Sequence, residues 1–76
     1  MPTLLNKNGF KIFFYANEHP PAHVHVIKGN GWAKIELVNL SVVYSSLKQQ
    51  ELKSCLEVIR EHEKEFLEAW HEWFGR

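Results

Sequence analysis

His23-Val24-His25-Val26-Ile27-Lys28-Gly29-Asn30-Gly31-Trp32-Ala33-Lys34-Ile35-Glu36-Leu37-Val38 is the stretch that decides the fold. Its first half alternates imidazole with valine, the period-2 pattern of a strand buried on one side. Its second half alternates Ala33, Ile35 and Leu37 with Lys34 and Glu36. Gly29, Asn30 and Gly31 lie between, and an Asn-Gly step marks a hairpin because both residue types tolerate positive φ. Two loops fit. With Asn30-Gly31 as the loop, Val26 opposes Ile35 and His25 opposes Glu36. With Gly29-Asn30, His23 opposes Glu36 and His25 opposes Lys34. Parity is the same in both registers: Val24, Val26, Ala33, Ile35 and Leu37 share a core face, and His23, His25, Trp32, Lys34 and Glu36 share the other.

Outward from the hairpin, Phe10 to Ala16 is dense in β-forming residues and predicts a first strand over 10–16. Asn17-Glu18-His19-Pro20-Pro21 breaks it, since proline fixes φ and cannot donate to a ladder. The hairpin supplies strands over 23–28 and 32–38, and Val42-Val43-Tyr44 predicts a short further strand. Ser46-Leu47-Lys48-Gln49 fits a capping box, placing a helix over 47–74. Leu52, Ile59, Phe66 and Trp73 recur every seven residues, with Cys55/Leu56, His62 and Ala69/Trp70 at the half-steps. Gly75 is a stop signal, and no Pro or Gly interrupts Gln49 to Phe74. The expected architecture is α+β: one domain over 1–76, an antiparallel sheet of three to four strands packed by a C-terminal amphipathic helix. One long helix is preferred, with a joint near His62 as the alternative.

A chain of 76 residues makes one domain and buries only about 60% of its unfolded surface, so each large apolar side chain counts. Nine basic and nine acidic residues cancel, and no three Lys or Arg are adjacent. That distribution argues against strong non-specific nucleic-acid binding, which draws on clustered positive charge. Cys55 is the sole cysteine, which excludes an intrachain disulfide or a cysteine-based zinc site. The N-terminal residues lack the apolar run of a signal peptide, and no run approaches the roughly 20 apolar residues of a membrane span. The expected setting is the cytoplasm, without a membrane association.

The outer hairpin face is the one cluster with chemical potential. It presents His23, His25, Glu36, Lys34 and Trp32, with His19 entering from the proline loop. Three readings apply. The histidines are polar residues on the solvent side of a sheet; or His19, His23 and His25 hold a divalent metal such as zinc, with Glu36 as a carboxylate ligand; or His23 and His25 act as base and acid in RNA cleavage, with Lys34 stabilising developing charge. No motif names a reaction, and no cofactor is required by the sequence.

Aromatic surplus suggests a partner. Trp70, Trp73 and Phe74 crowd the last helical turns, where they either close the core or, with Trp73 and Phe74 outward, join His19, His23, His25, Trp32 and Glu36 as a binding surface. In the first strand Phe10, Ile12 and Phe14 share one face while Phe13 and Tyr15 share the other, so one row must leave the main core. Association with a small protein or a second copy follows.

Asn17-Glu18-His19-Pro20-Pro21-Ala22-His23-Val24-His25-Val26, the opening Met1-Pro2-Thr3, and the helix with Leu56, His62, Lys64-Glu65, Leu67 and Trp70 resemble the small bacterial proteins of domain-of-unknown-function family 4160. The likeness spans nearly the whole chain, and His-Pro-Pro-x-His-x-His is its most specific part. The resemblance implies a small intracellular bacterial protein of a family whose genes often lie beside a second small gene, in an arrangement that resembles toxin–antitoxin pairs. It carries over no catalytic residues. The reading that follows is a cytoplasmic interaction module, one component of a toxin–antitoxin-like pair. Its alternative is a His-centred metal-binding protein or RNA-cleaving enzyme.

Overall fold

A computed structural model describes residues 3–75; Met1, Pro2 and Arg76, part of the expected 1–76 domain, lie outside the described residues. Five strands run β1 Thr3–Lys7, β2 Phe10–Phe13, β3 His23–Lys28, β4 Gly31–Glu36 and β5 Ser41–Ser45. Two helices follow, α1 Gln49–Glu61 and α2 Glu63–Phe74. The sheet is an antiparallel meander in chain order, β1-β2-β3-β4-β5. The α+β class stands, with more strands than the three or four expected.

The additional strand is β1. It pairs with β2 around a two-residue turn, Lys7 opposite Phe10, in which Asn8 and Gly9 take φ of 56° and 82°. Positive φ at both positions is what such a hairpin needs, and Asn-Gly supplies it cheaply. The same dipeptide at 30–31 does not form the second hairpin loop. There Lys28 opposes Gly31, and Gly29 alone of the two loop residues takes positive φ, at 59°. The Gly29-Asn30 register therefore holds: His23 faces Glu36 and His25 faces Lys34.

The predicted first strand over 10–16 ends early, at Phe13. Phe14 stays buried beneath Trp70 and Phe74 as the chain turns away. The expected long helix over 47–74 is also corrected. It starts at Gln49, with Lys48 as N-cap and the Glu51 side chain accepting from the Lys48 N–H at 3.1 Å. Ser46 is no cap: its hydroxyl accepts from the Trp32 N–H at 3.0 Å and ties the end of β5 to β4. The helix then breaks at His62, the jointed alternative. The His62 ring, through Nδ1, donates to the Val58 carbonyl at 3.0 Å, the acceptor that the His62 backbone N–H would use in a continuous helix. That N–H turns to the Ile59 carbonyl instead, and α2 restarts with Glu63 and Glu65 at its positive end.

One sheet face is closed by the helices. Ile12, Val24, Val26, Ala33, Ile35 and Leu37 are fully buried against Cys55, Val58, Ile59, Phe66 and Trp70. The seven-residue stripe therefore holds through Phe66 and fails at Trp73. Trp73 is 54% exposed, while Trp70, four residues after Phe66 on the same face of α2, enters the core. On the opposite sheet face α2 reaches only His23, through Trp70, and among the described residues no helix covers Tyr15, Ile27, Trp32 and Tyr44, which are exposed there. No helix among the described residues is long and apolar enough to cross a membrane.

Candidate functional site

Period-2 geometry sends the His23 and His25 side chains to the face opposite Val24 and Val26, as expected. What covers them was not. The Tyr15–Ala22 segment, which contains a cis Pro20–Pro21 bond, brings Glu18 over both rings. His23 Nε2 lies 2.9 Å from Glu18 Oε1, and His25 Nε2 lies 2.8 Å from Glu18 Oε2. The Tyr15 N–H donates to Oε2 at 3.0 Å and fixes the carboxylate from the other side.

His23 is the more constrained ring. It is only 3% exposed, with Trp70 at 4.9 Å between ring centres. Its Nδ1 sits 2.8 Å from the Pro21 carbonyl, which can only accept, so Nδ1 carries a proton. Its Nε2 faces a carboxylate, also an acceptor when ionised. His25 is less enclosed. Phe13 stacks on one side at 5.5 Å and Tyr15 meets it edge-on at 4.9 Å.

Electrostatics follow the geometry. Burial works to raise the Glu18 pKa, yet the Tyr15 N–H, His23 and His25 outweigh it and hold the carboxyl below its ordinary 4.5. Burial depresses the His25 pKa below its ordinary 6.5; Glu18 opposes that shift, while His23 and Lys34 reinforce it. The donor atoms of Glu18, His23 and His25 all lie within 4.8 Å of one another.

Two predicted partners are absent from this cluster. His19 is exposed in the loop and outside the group that converges on Glu18. Glu36 is His23's cross-strand neighbour but half-buried and outside that group too. Lys34 lies opposite His25 and acts on it only through charge. Trp32 stacks on Tyr44 at 4.4 Å and is outside the group that converges on Glu18. Trp73 donates from its indole to the Ala16 carbonyl at 3.4 Å, and Phe74 packs on Phe14 and Trp70. The helix end thus braces the loop that carries Glu18. Glu18 itself went unread, although it is the one carboxylate ahead of Glu36 and sits in the His-Pro-Pro segment.

Depressions lie on either side of the cluster. Glu18, Pro20, Pro21, Trp70, His71 and Phe74 line a cleft between loop and α2. Phe13, Tyr15, His25, Ile27 and Trp32 line a shallow groove on the bare sheet face.

No curated protein and no solved structure matches the chain. Residues 9–71, which hold β2 through most of α2 and all of the Glu18–His23–His25 cluster, match the family described as Domain of unknown function (DUF4160), and the chain belongs to that family.

Proposed function

We propose that this protein is a cytoplasmic bacterial protein–protein interaction module, one component of a toxin–antitoxin-like pair, that docks a small protein partner on its bare sheet face. The observation that carries this reading is the exposed row of Tyr15, Ile27, Trp32 and Tyr44, over which no helix of the described residues lies. Aromatic side chains bring large contact area at low conformational cost, and they dominate interface hot spots. A chain this small gains little from leaving them in water. Formal neutrality supports a protein partner over a nucleic acid. The paired-gene arrangement implied by the family resemblance supports a small, co-encoded one.

Acid–base cleavage of RNA by His23 and His25 is the weaker reading. His23 is nearly inaccessible, and both its ring nitrogens are engaged. A general base needs to reach the proton that it abstracts.

Co-expression with the product of the neighbouring gene, followed by size-exclusion chromatography with light scattering, tests the docking reading. A single peak with the summed mass supports it, and a self-associated dimer would redirect it to a second copy. Two separate monomer peaks would count against any docking role.

A further inference from the structure

We infer that Glu18, His23 and His25 form a site for one divalent transition metal of the zinc class, with both imidazoles ligating through Nε2 and Glu18 through a carboxylate oxygen. This inference is independent of the docking reading and concerns a different part of the molecule's chemistry.

Three observations converge on it. Both rings aim the same nitrogen, Nε2, at one carboxylate, at 2.9 and 2.8 Å. The three donor atoms fall within 4.8 Å of one another. With metal–ligand bonds of about 2.0–2.2 Å, side-chain shifts of roughly an ångström would bring all three onto one ion. Secondly, the His23 Nδ1–H is tied to the Pro21 carbonyl at 2.8 Å. That is the outer-shell bond that metal-bound histidines make: it fixes the tautomer and leaves the Nε2 lone pair directed inward. Thirdly, the ligands are held before any ion arrives. Trp70 packs on His23, Phe13 and Tyr15 clamp His25, and the Tyr15 N–H holds Glu18.

Both imidazoles ligate as neutral rings through Nε2, so any proton held there leaves for solvent as the ion binds. Two imidazoles and one carboxylate suit zinc and related borderline ions, and they leave a fourth coordination position. Glu18 borders the cleft beneath α2, so that position opens toward solvent there.

The alternative is a metal-free network in which Glu18 simply ties two histidines to the loop. Untagged chain stripped with chelator distinguishes the two when titrated with zinc chloride by calorimetry, with elemental analysis after gel filtration. The expected result is one zinc per chain. Glu18→Gln and His25→Gln should each weaken binding by more than about a hundredfold, beyond the loss expected from an outer-shell partner, while His19→Ala leaves it unchanged. Should Glu18→Gln fail to fold, His25→Gln and a cobalt(II) titration of the wild-type chain still decide. Cobalt in this site should show the intense visible bands of four-coordination. Absence of stoichiometric zinc, purely six-coordinate cobalt spectra, or zinc binding lost in His19→Ala and kept in the other two variants would each overturn the assignment.

Discussion

The two faces of the sheet are built from the same strands yet answer to different demands. On the covered face Val24, Val26, Ala33, Ile35 and Leu37 lose all contact with water against α1 and α2. On the other, Phe13 and His23 are buried beside exposed Tyr15, Ile27, Trp32 and Tyr44. A face that only had to stabilise the fold would be polar where water reaches it. Its aromatic side chains, and the pair of histidines clasped by a loop carboxylate, are costs in a small chain unless they serve another purpose. The comparison teaches that stability resides mainly on one side of this sheet, which leaves the other side for the recognition role proposed above.

The largest effect that would test this division comes from two isoleucines one strand apart. Ile35→Ala empties a fully buried position and should cost about 2–5 kcal/mol. Ile27→Ala, on the bare face and 38% exposed, should cost less than about 1 kcal/mol. Urea denaturation of both variants checks this. Equal losses would mean that the bare face is a second core.

Glu18→Gln comes next. It leaves His23 and His25 facing a neutral amide in a mostly buried setting, and about 1–3 kcal/mol should be lost. A change within error, measured in the same denaturation series, would show that the loop is not held by this contact.

Acidification sharpens the same point. Both shifts in the cluster run downward, so the folded chain binds fewer protons than the unfolded chain, and stability falls with pH. Loss assigned to His25 begins as pH drops below about 6.5, the ordinary value that the unfolded chain keeps, and is complete below the folded value. Loss assigned to Glu18 begins below about 4.5. Thermal unfolding between pH 8 and 3 should therefore decline in two stages, and His25→Gln should remove the first. Cys55 on the covered face takes no part, since burial pushes its thiol up to about 11.

Small as well should be the stability cost of Trp32→Ser, since the indole's ring contact is Tyr44 on the open surface. About 0.5–1.5 kcal/mol is expected, against complete loss of partner binding. A variant that unfolds would place Trp32 with the core after all.

Much of the covered face was legible because it obeys local periodicity. The alternation through β3 and β4 named every core residue of the hairpin, and Leu52, Ile59 and Phe66 marked the helix side. The bare face was legible in parity but not in contact. His23 and His25 are where alternation puts them, whereas Glu18 reaches them only through a turn spanning seven residues, which no period encodes. His19 and Glu36 were near in sequence or register, and neither is aimed at the cluster. The β1–β2 hairpin carried a readable sign, since Asn8-Gly9 is the same dipeptide that drew attention at 30–31. The break at His62 stood only as the alternative to one long helix. It arises when one side chain takes its own helix's carbonyl, and the sequence there stays free of Pro and Gly.

The three indoles offer the most direct measurement. Trp70 lies in the core, Trp73 braces the loop at Ala16, and Trp32 lies on the bare face. Nitrogen-15 spectra of the indole N–H groups, recorded while the product of the neighbouring gene is added, report each separately. The account predicts that the Trp32 signal shifts or broadens while the Trp70 signal stays in place. Movement of Trp70 and Trp73 with Trp32 unaffected would contradict it.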